Sequence, residues 1–219
     1  MDLPPSPSVP PRDVEEMLRI LAETYPGAGT ALKFGTTFQL LVAVILSAQC
    51  TDKRVNEVTR KLFAVASEPA DFARMQPGEL EPWIRSCGLG PSKARNIVAT
   101  SRVLLERHGG EVPGTFEQLV ELPGVGRKTA NVMLANAFET PAIAVDTHVL
   151  RVANRLGLAA ATTPEATEKQ LRQRIPVELW SQAHHWLIHH GREICHARNP
   201  ACSVCPLLRL CPEGQRRCG

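Results

Sequence analysis

The segment Leu122-Pro123-Gly124-Val125-Gly126-Arg127-Lys128-Thr129-Ala130 decides how this chain is read. Ahead of it, Thr115 and Gln118 stand at capping-box spacing for a short helix over residues 116–121. Behind it, Ala130, Met133, Leu134, Ala137 and Phe138 recur at helical spacing, as the buried stripe of a second helix does. The pattern is a helix-hairpin-helix. Its two glycines let the backbone approach a ligand closely, and Val125 can plug the angle between the helices. Backbone N–H groups at the start of the second helix face outward, where they and the local dipole suit a phosphate. A tight interhelical turn without a ligand is the competing reading. A nucleotide-binding P-loop is excluded, because its glycine spacing and its Gly-Lys-Ser/Thr ending are missing.

Outward from the hairpin the periodicity stays helical. Residues 38–48 form a nearly continuous apolar segment without the bounding turns of a strand, and are predicted to be a buried helix. Thr51 caps a segment with Val55, Val58, Leu62 and Phe63 on one face, and Asp13 with Glu16 can close a capping box over residues 14–21. Further helices are predicted over 77–86, 92–108, 147–156, 164–174 and 177–191, with Gly109-Gly110 and Pro113-Gly114 in connections. No convincing period-two alternation occurs, so the fold class is all-α. Residues 1–11 carry five prolines and read as a disordered tail. The turn Gly88-Leu89-Gly90 before Lys93 weakly repeats Gly124-Val125-Gly126 before Lys128.

The chain has 219 residues, 43% of them apolar and 21% charged, enough for one or two small domains. The longest apolar run, 40–46, is far short of a bilayer span, and the N-terminus lacks an export signal, so a cytoplasmic protein is expected. The formal net charge of +3 does not advertise nucleic-acid binding. Its placement says more, since the whole excess lies beyond residue 191, in Arg192, Arg198, Arg209, Arg216 and Arg217 against Glu193 and Glu213.

The same region holds Cys195, Cys202, Cys205, Cys211 and Cys218 of the seven cysteines. The first four follow C-x6-C-x2-C-x5-C, and four thiolates in so short a span suit a cubane iron-sulfur cluster. Tetrahedral zinc is the alternative, although structural zinc more often pairs two short knuckles. Cys218 stands outside the pattern. His184, His185, His189 and His190 share one helix and read as core or surface residues, because no glutamate beside His185 completes a zinc-protease motif.

Lysine is scarce here, six against nineteen arginines, yet Lys128 opens the second hairpin helix. The positive end of that helix disfavours an ammonium, and a free amine beside DNA can attack C1′ of a sugar and form a Schiff base. On this pattern alone Lys128 reads equally as one more phosphate contact, and Lys93 is a rival amine. Asp146, in Val145-Asp146-Thr147-His148-Val149, is a helix N-cap that could also stabilise a cationic sugar or relay protons.

Taken together, residues 122–130, residues 145–152 and the four-cysteine segment, in that order, resemble the bacterial endonuclease III family of iron-sulfur DNA glycosylases in the helix-hairpin-helix superfamily. The resemblance covers about residues 12–212. It implies a two-lobed fold: a six-helix barrel domain over 30–140, and a [4Fe-4S] cluster domain combining 12–29 with 141–219. It implies a bifunctional glycosylase and abasic-site lyase of base excision repair, acting on oxidised pyrimidines in double-stranded DNA, as a monomer. Lys128 would then be the nucleophile, Asp146 its assistant, and Cys195, Cys202, Cys205 and Cys211 the cluster ligands. By position, Gln49 would fill the space left by the extruded base and Leu89 would wedge the duplex. Gly124, Val125, Gly126, Arg127, Thr129 and Arg198 would contact DNA. The loop 196–201 carries one formal cation, Arg198, where relatives are often more basic. Two alternatives stay open. One is a mismatch or adenine-type glycosylase of the same superfamily, of which the adenine type needs a glutamate in the helix before Gln49, where residues 40–48 contain no acid; the other is a non-catalytic iron-sulfur DNA-binding protein.

Overall fold

The computed structural model describes residues 8–218. It is all-helical, with no β-strand among the described residues. The chain divides into two compact units, residues 31–139 and residues 1–30 with 140–219. Helix α1 (Pro11–Thr24) opens the chain. The first of these units, 31–139, holds α2 (Thr37–Ser47), α3 (Asp52–Leu62), α4 (Pro69–Arg74), α5 (Pro77–Ile84), α6 (Gly90–Arg107), α7 (Phe116–Val120) and α8 (Arg127–Ala137). The C-terminal part adds α9 (Thr147–Arg155), α10 (Pro164–Arg174), α11 (Trp180–Glu193) and α12 (Pro212–Cys218).

In the unit of residues 31–139, α2 is buried all round: Phe38 and every residue from Leu40 to Leu46 are shielded. Its β-branched residues are indifferent helix formers, but burying a large aliphatic side chain contributes about 1.5–3 kcal/mol, which outweighs propensities of a few tenths. Helices α3, α6 and α8 pack on it. Phe72, Leu80, Ile84, Ile97, Leu104 and Leu119 complete this core from α4, α5, α6 and α7. Thr36, Thr51 and Thr115 cap α2, α3 and α7, each accepting the N–H three residues on. Thr115 also donates its hydroxyl to Gln118 Oε1 at 2.8 Å. Helix α4 went unread because six residues opened by a proline carry too little periodicity; Glu68 and Asp71 close a capping box over it.

The other unit is built on α1, α9 and α11. Val14, Met17, Leu18 and Leu21 of α1 join Val149, Val152 and Ala153 of α9 and Ala183, Trp186 and Leu187 of α11 in one core. Helices α9 and α11 approach closely at Gly191, where a Cβ would lie 3.0 Å from Val152 Cγ2.

Two expectations about the N-terminus are corrected. Residues 1–7 of the expected tail lie outside the described residues, but residues 9–11 are ordered: Val9 is buried, its carbonyl accepts from the Arg174 guanidinium, and Pro11 is already helical. A proline at the first helical position lacks only an N–H that had no helical acceptor, so the proline run starts α1. The capping box of Asp13 with Glu16 does not form either. Pro10 is the N-cap, and Glu16 pairs with Arg19 at 2.6 Å.

Candidate active site and cluster site

The hairpin of the first unit is formed as the sequence predicts. Val125 is buried, and its N–H closes the turn on Leu122 O at 3.0 Å. Gly124 is in the left-handed region at φ 78°, and a Cβ there would lie 2.7 Å from Asn96 Cβ of α6. Thr100 of α6 ties the turn down by donating to Pro123 O at 2.6 Å. Gly126 differs: its φ is −93°, and nothing lies within 4 Å of where a Cβ would stand. This glycine serves no need of the protein interior and leaves open space at the helix end.

That helix end is uncapped. Gly126 offers α8 no side-chain acceptor. Ala130 is the first residue whose N–H closes on a helical carbonyl, Gly126 O at 2.9 Å, so the amides of Lys128 and Thr129 before it aim out of the end of α8. Lys128 is exposed there. Arg127 is exposed too, its guanidinium 5.0 Å from the centre of the Phe116 ring.

Gln49 and Leu89 share an unusual property. Both are non-glycine residues in the left-handed region, at φ 56° and 53°, and both are exposed, Leu89 by 54%. Each such backbone costs about 1–2 kcal/mol. Here the weak repeat breaks down, because Leu89 stands outward where Val125 is buried. Lys93 also differs from Lys128: it is 4% exposed, and its Nζ donates to Leu46 O at 2.9 Å, Ala48 O at 2.6 Å and Cys87 O at 2.8 Å. Its three donors are spent, which removes it as a nucleophile. Burial lowers its pKa. Burial also pushes the neighbouring Cys87 thiol up to about 11, with the Cys50 thiol adding to the effect.

In the other unit, Asp146 is the N-cap of α9, accepting the N–H groups of His148 and Val149 at 2.8 Å each. Both bonds go to Oδ1, which leaves Oδ2 for another partner. The apolar run before it, Ala142 to Val145, is buried, and Asp146 itself is half-buried.

Cys195, Cys202, Cys205 and Cys211 line one common space, walled also by Leu156, Ile194, Pro200 and Leu208. All four thiols are free, and Cys218 is exposed at the end of α12, outside that lining. Among the described residues no three Cys, His, Asp or Glu converge on the position of one ion. The thiols surround a volume instead, which fits a polynuclear cluster and not a single zinc. Burial raises the pKa of Cys202, of Cys211 and, to about 11, of Cys205. Thiolates in such a place need a cationic core between them.

The sequence missed the residues that orient these sulfurs. Arg155 donates to Cys195 Sγ at 3.4 Å, to His196 O at 2.6 Å and to Ala197 O at 2.9 Å. Gly214 N–H donates to Cys211 Sγ at 3.2 Å. His190 Nε2 lies 3.6 Å from Cys205 Sγ, and its Nδ1 is 3.2 Å from the Tyr25 hydroxyl. Burial lowers His190 to about 4, so it stands neutral beside the sulfur. Arg155 is half-buried and His190 buried, and helical periodicity cannot distinguish such a polar side chain from a surface one. Arg198 is exposed on the loop that Arg155 holds.

The helix-hairpin-helix superfamily of base excision DNA repair proteins matches residues 42–177, and the iron-sulfur binding domain of endonuclease III matches residues 195–211. Endonuclease III of Escherichia coli strain K12 is 48% identical over 196 residues, 90% of this chain and 93% of its own. The chain belongs to the endonuclease III family. Endonuclease III of Bacillus subtilis strain 168 is 47% identical over 207 residues, 94% of each chain. Among solved structures, a trapped endonuclease III-DNA covalent intermediate superposes with a TM-score of 0.92 at 46% identity, covering 96% of this chain and 99% of that one. A thermostable thymine-DNA glycosylase has a TM-score of 0.82 at 21% identity, and so shares the fold. The cofactor of this endonuclease III family member is a [4Fe-4S] cluster.

Proposed function

We propose that Lys128 is the Schiff-base nucleophile of this endonuclease III family member. The chain is a base excision repair enzyme, a DNA N-glycosylase with abasic-site lyase activity. One observation carries the assignment of the nucleophile: the exposed lysine stands in the first turn of α8, at a helix end with no protein cap and with open space at Gly126. A DNA phosphate can complete that cap, placing the amine beside the sugar.

The free amine of Lys128 attacks C1′ of the target nucleotide, the bond from C1′ to the base breaks, and the base leaves with the electron pair and takes a proton. Ring opening leaves an iminium between Nζ and C1′. Loss of a proton from C2′ then expels the 3′ phosphate by β-elimination, and water releases the lysine. Oδ2 of Asp146 stabilises the cationic sugar and relays protons while Oδ1 keeps the helix cap. Gln49 fills the space vacated by the damaged base and Leu89 wedges the strands, with lesions that pair poorly extruded at least cost. Gly124, Gly126, Arg127 and Thr129 carry the hairpin's phosphate contact around Val125, whose buried side chain and bonded N–H leave it to hold the turn, and Arg198 adds a cation from the cluster loop. Cys195, Cys202, Cys205 and Cys211 would hold the [4Fe-4S] cluster, and that ligation would pin the segment 195–211. The substrates are oxidised pyrimidines in double-stranded DNA, and the enzyme works as a monomer in the bacterial cytoplasm. No helix of the described residues is long and apolar enough to cross a membrane.

Borohydride in the presence of abasic duplex DNA should trap the wild type covalently, because it reduces the iminium. Lys128→Gln should still bind the duplex while trapping and cleavage disappear. Equal trapping of Lys128→Gln would overturn the assignment. A panel of duplexes carrying oxidised pyrimidines, oxidised purines and mismatched bases checks the substrate class.

A further inference from the structure

Lys93 has no part in the chemistry described so far, yet it makes the most demanding set of contacts in its unit. An ammonium is costly to bury unless every donor is paired. Here one cation meets three backbone carbonyls, Leu46 O, Ala48 O and Cys87 O, at 2.6–2.9 Å. The first two belong to the C-terminal end of α2, where carbonyls have no helical partner and the dipole is negative. The third belongs to Cys87, the last residue of the 3-10 turn Arg85–Cys87. Directly after Ala48 comes Gln49, and two residues after Cys87 comes Leu89. A left-handed backbone at non-glycine positions persists only where the surroundings over-determine it. Without a cation the three carbonyl dipoles would face one another across an apolar interior, and the two turns would separate.

We propose that Lys93 is a positioning residue for base extrusion: its buried ammonium clamps the turn of Gln49 to the turn of Leu89, presenting both to the duplex at a set spacing. The proposal rests on the reading of Gln49 and Leu89 as the residues that enter the duplex. It requires Lys93 to act on extrusion and not on the reaction at Lys128, so lesion excision should depend on it more than capture of a site whose base is already gone.

The test compares wild type, Lys93→Met, Gln49→Ala, Leu89→Ala and the double variant Lys93→Met/Leu89→Ala, all as full-length holoenzyme with the cluster checked by visible absorbance. Two readouts are taken: single-turnover excision of an oxidised pyrimidine in a matched duplex, and borohydride trapping on a duplex with a preformed abasic site. A 2-aminopurine opposite the lesion reports the unstacked partner base. Lys93→Met should slow excision about tenfold or more and abolish the 2-aminopurine rise, while trapping changes by less than about threefold. On the Leu89→Ala background its further effect on excision should be smaller than in the wild type, because one of the two clamped residues is already gone. Lys93→Gln, whose amide keeps two donors, should fall between. Unchanged excision by Lys93→Met, or equal loss of excision and trapping, overturns the proposal. So does loss of helical circular dichroism in both Lys93 variants, which would assign Lys93 to folding at large. If Gln49→Ala and Leu89→Ala leave excision intact, the reading of those two residues fails. If they impair it and Lys93→Met does not, the clamp alone fails.

Discussion

Asp146 accepts the backbone N–H of Val149 through Oδ1 at 2.8 Å, the same oxygen that takes the N–H of His148. Cap and chemistry therefore use different oxygens of one carboxylate. Asparagine keeps an oxygen for the cap and loses the charge. Asp146→Asn should melt within about 2 °C of wild type while lesion excision falls about a hundredfold, with some lyase activity left. Thermal melting and single-turnover excision check the pair. Unchanged excision would leave Asp146 a cap and nothing more.

The two hairpin glycines should separate stability from binding. Gly124→Ala meets both a left-handed backbone and Asn96, and is expected to lose about 2 kcal/mol or more in denaturant unfolding. Gly126→Ala has neither problem and should unfold at the wild-type midpoint. Its methyl group would stand where a phosphate approaches, so duplex affinity should fall about tenfold, measured by anisotropy at one stated salt concentration. Wild-type affinity in Gly126→Ala would place the phosphate elsewhere.

Arg155 holds Cys195 Sγ and two carbonyls of the following loop. Groups that orient metal ligands matter nearly as much as the ligands. Arg155→Met should keep its fold but lose iron to a chelator about tenfold faster, followed as decay of the visible thiolate-to-iron absorbance. It should also weaken DNA binding through the freed Arg198. An unchanged iron-loss rate would show that the four thiolates alone retain the cluster.

Acid should weaken the unit that carries α11. Burial, with His189 adding to it, lowers His185 to about 4 from an ordinary 6.5. As pH falls below 6.5 the unfolded chain takes up a proton that the folded chain refuses until about 4. Stability from this group is whole above pH 6.5 and declines through that window by roughly 1 kcal/mol per pH unit. His185→Gln should flatten that part of the slope, measured as unfolding free energy at pH 7 and pH 5. Parallel slopes in the two proteins would place the titration elsewhere.

Features that depend on neighbours along the chain are legible in the amino-acid order. Helical periodicity, threonine and aspartate caps and the absence of alternation specify an all-α fold, and the helices appear at nearly the expected bounds. The hairpin with Lys128, the cap at Asp146 and the spacing of four cysteines were legible for the same reason, because a helix start and a ligand loop are local objects. Short elements were not: α4 and α12 have too few turns to show a period, and the proline run hid the start of α1. Which polar side chains go inward is settled by the packing of segments distant in the chain. It separated Lys93 from Lys128, although both follow a Gly-apolar-Gly turn, by surrounding one with carbonyls from two other segments and leaving the other at an open helix end. It likewise brought Arg155 and His190 to the cluster cysteines, with Tyr25 behind His190. Whether a charged group can be buried depends on partners distant in the chain that satisfy its donors, and no local pattern records them.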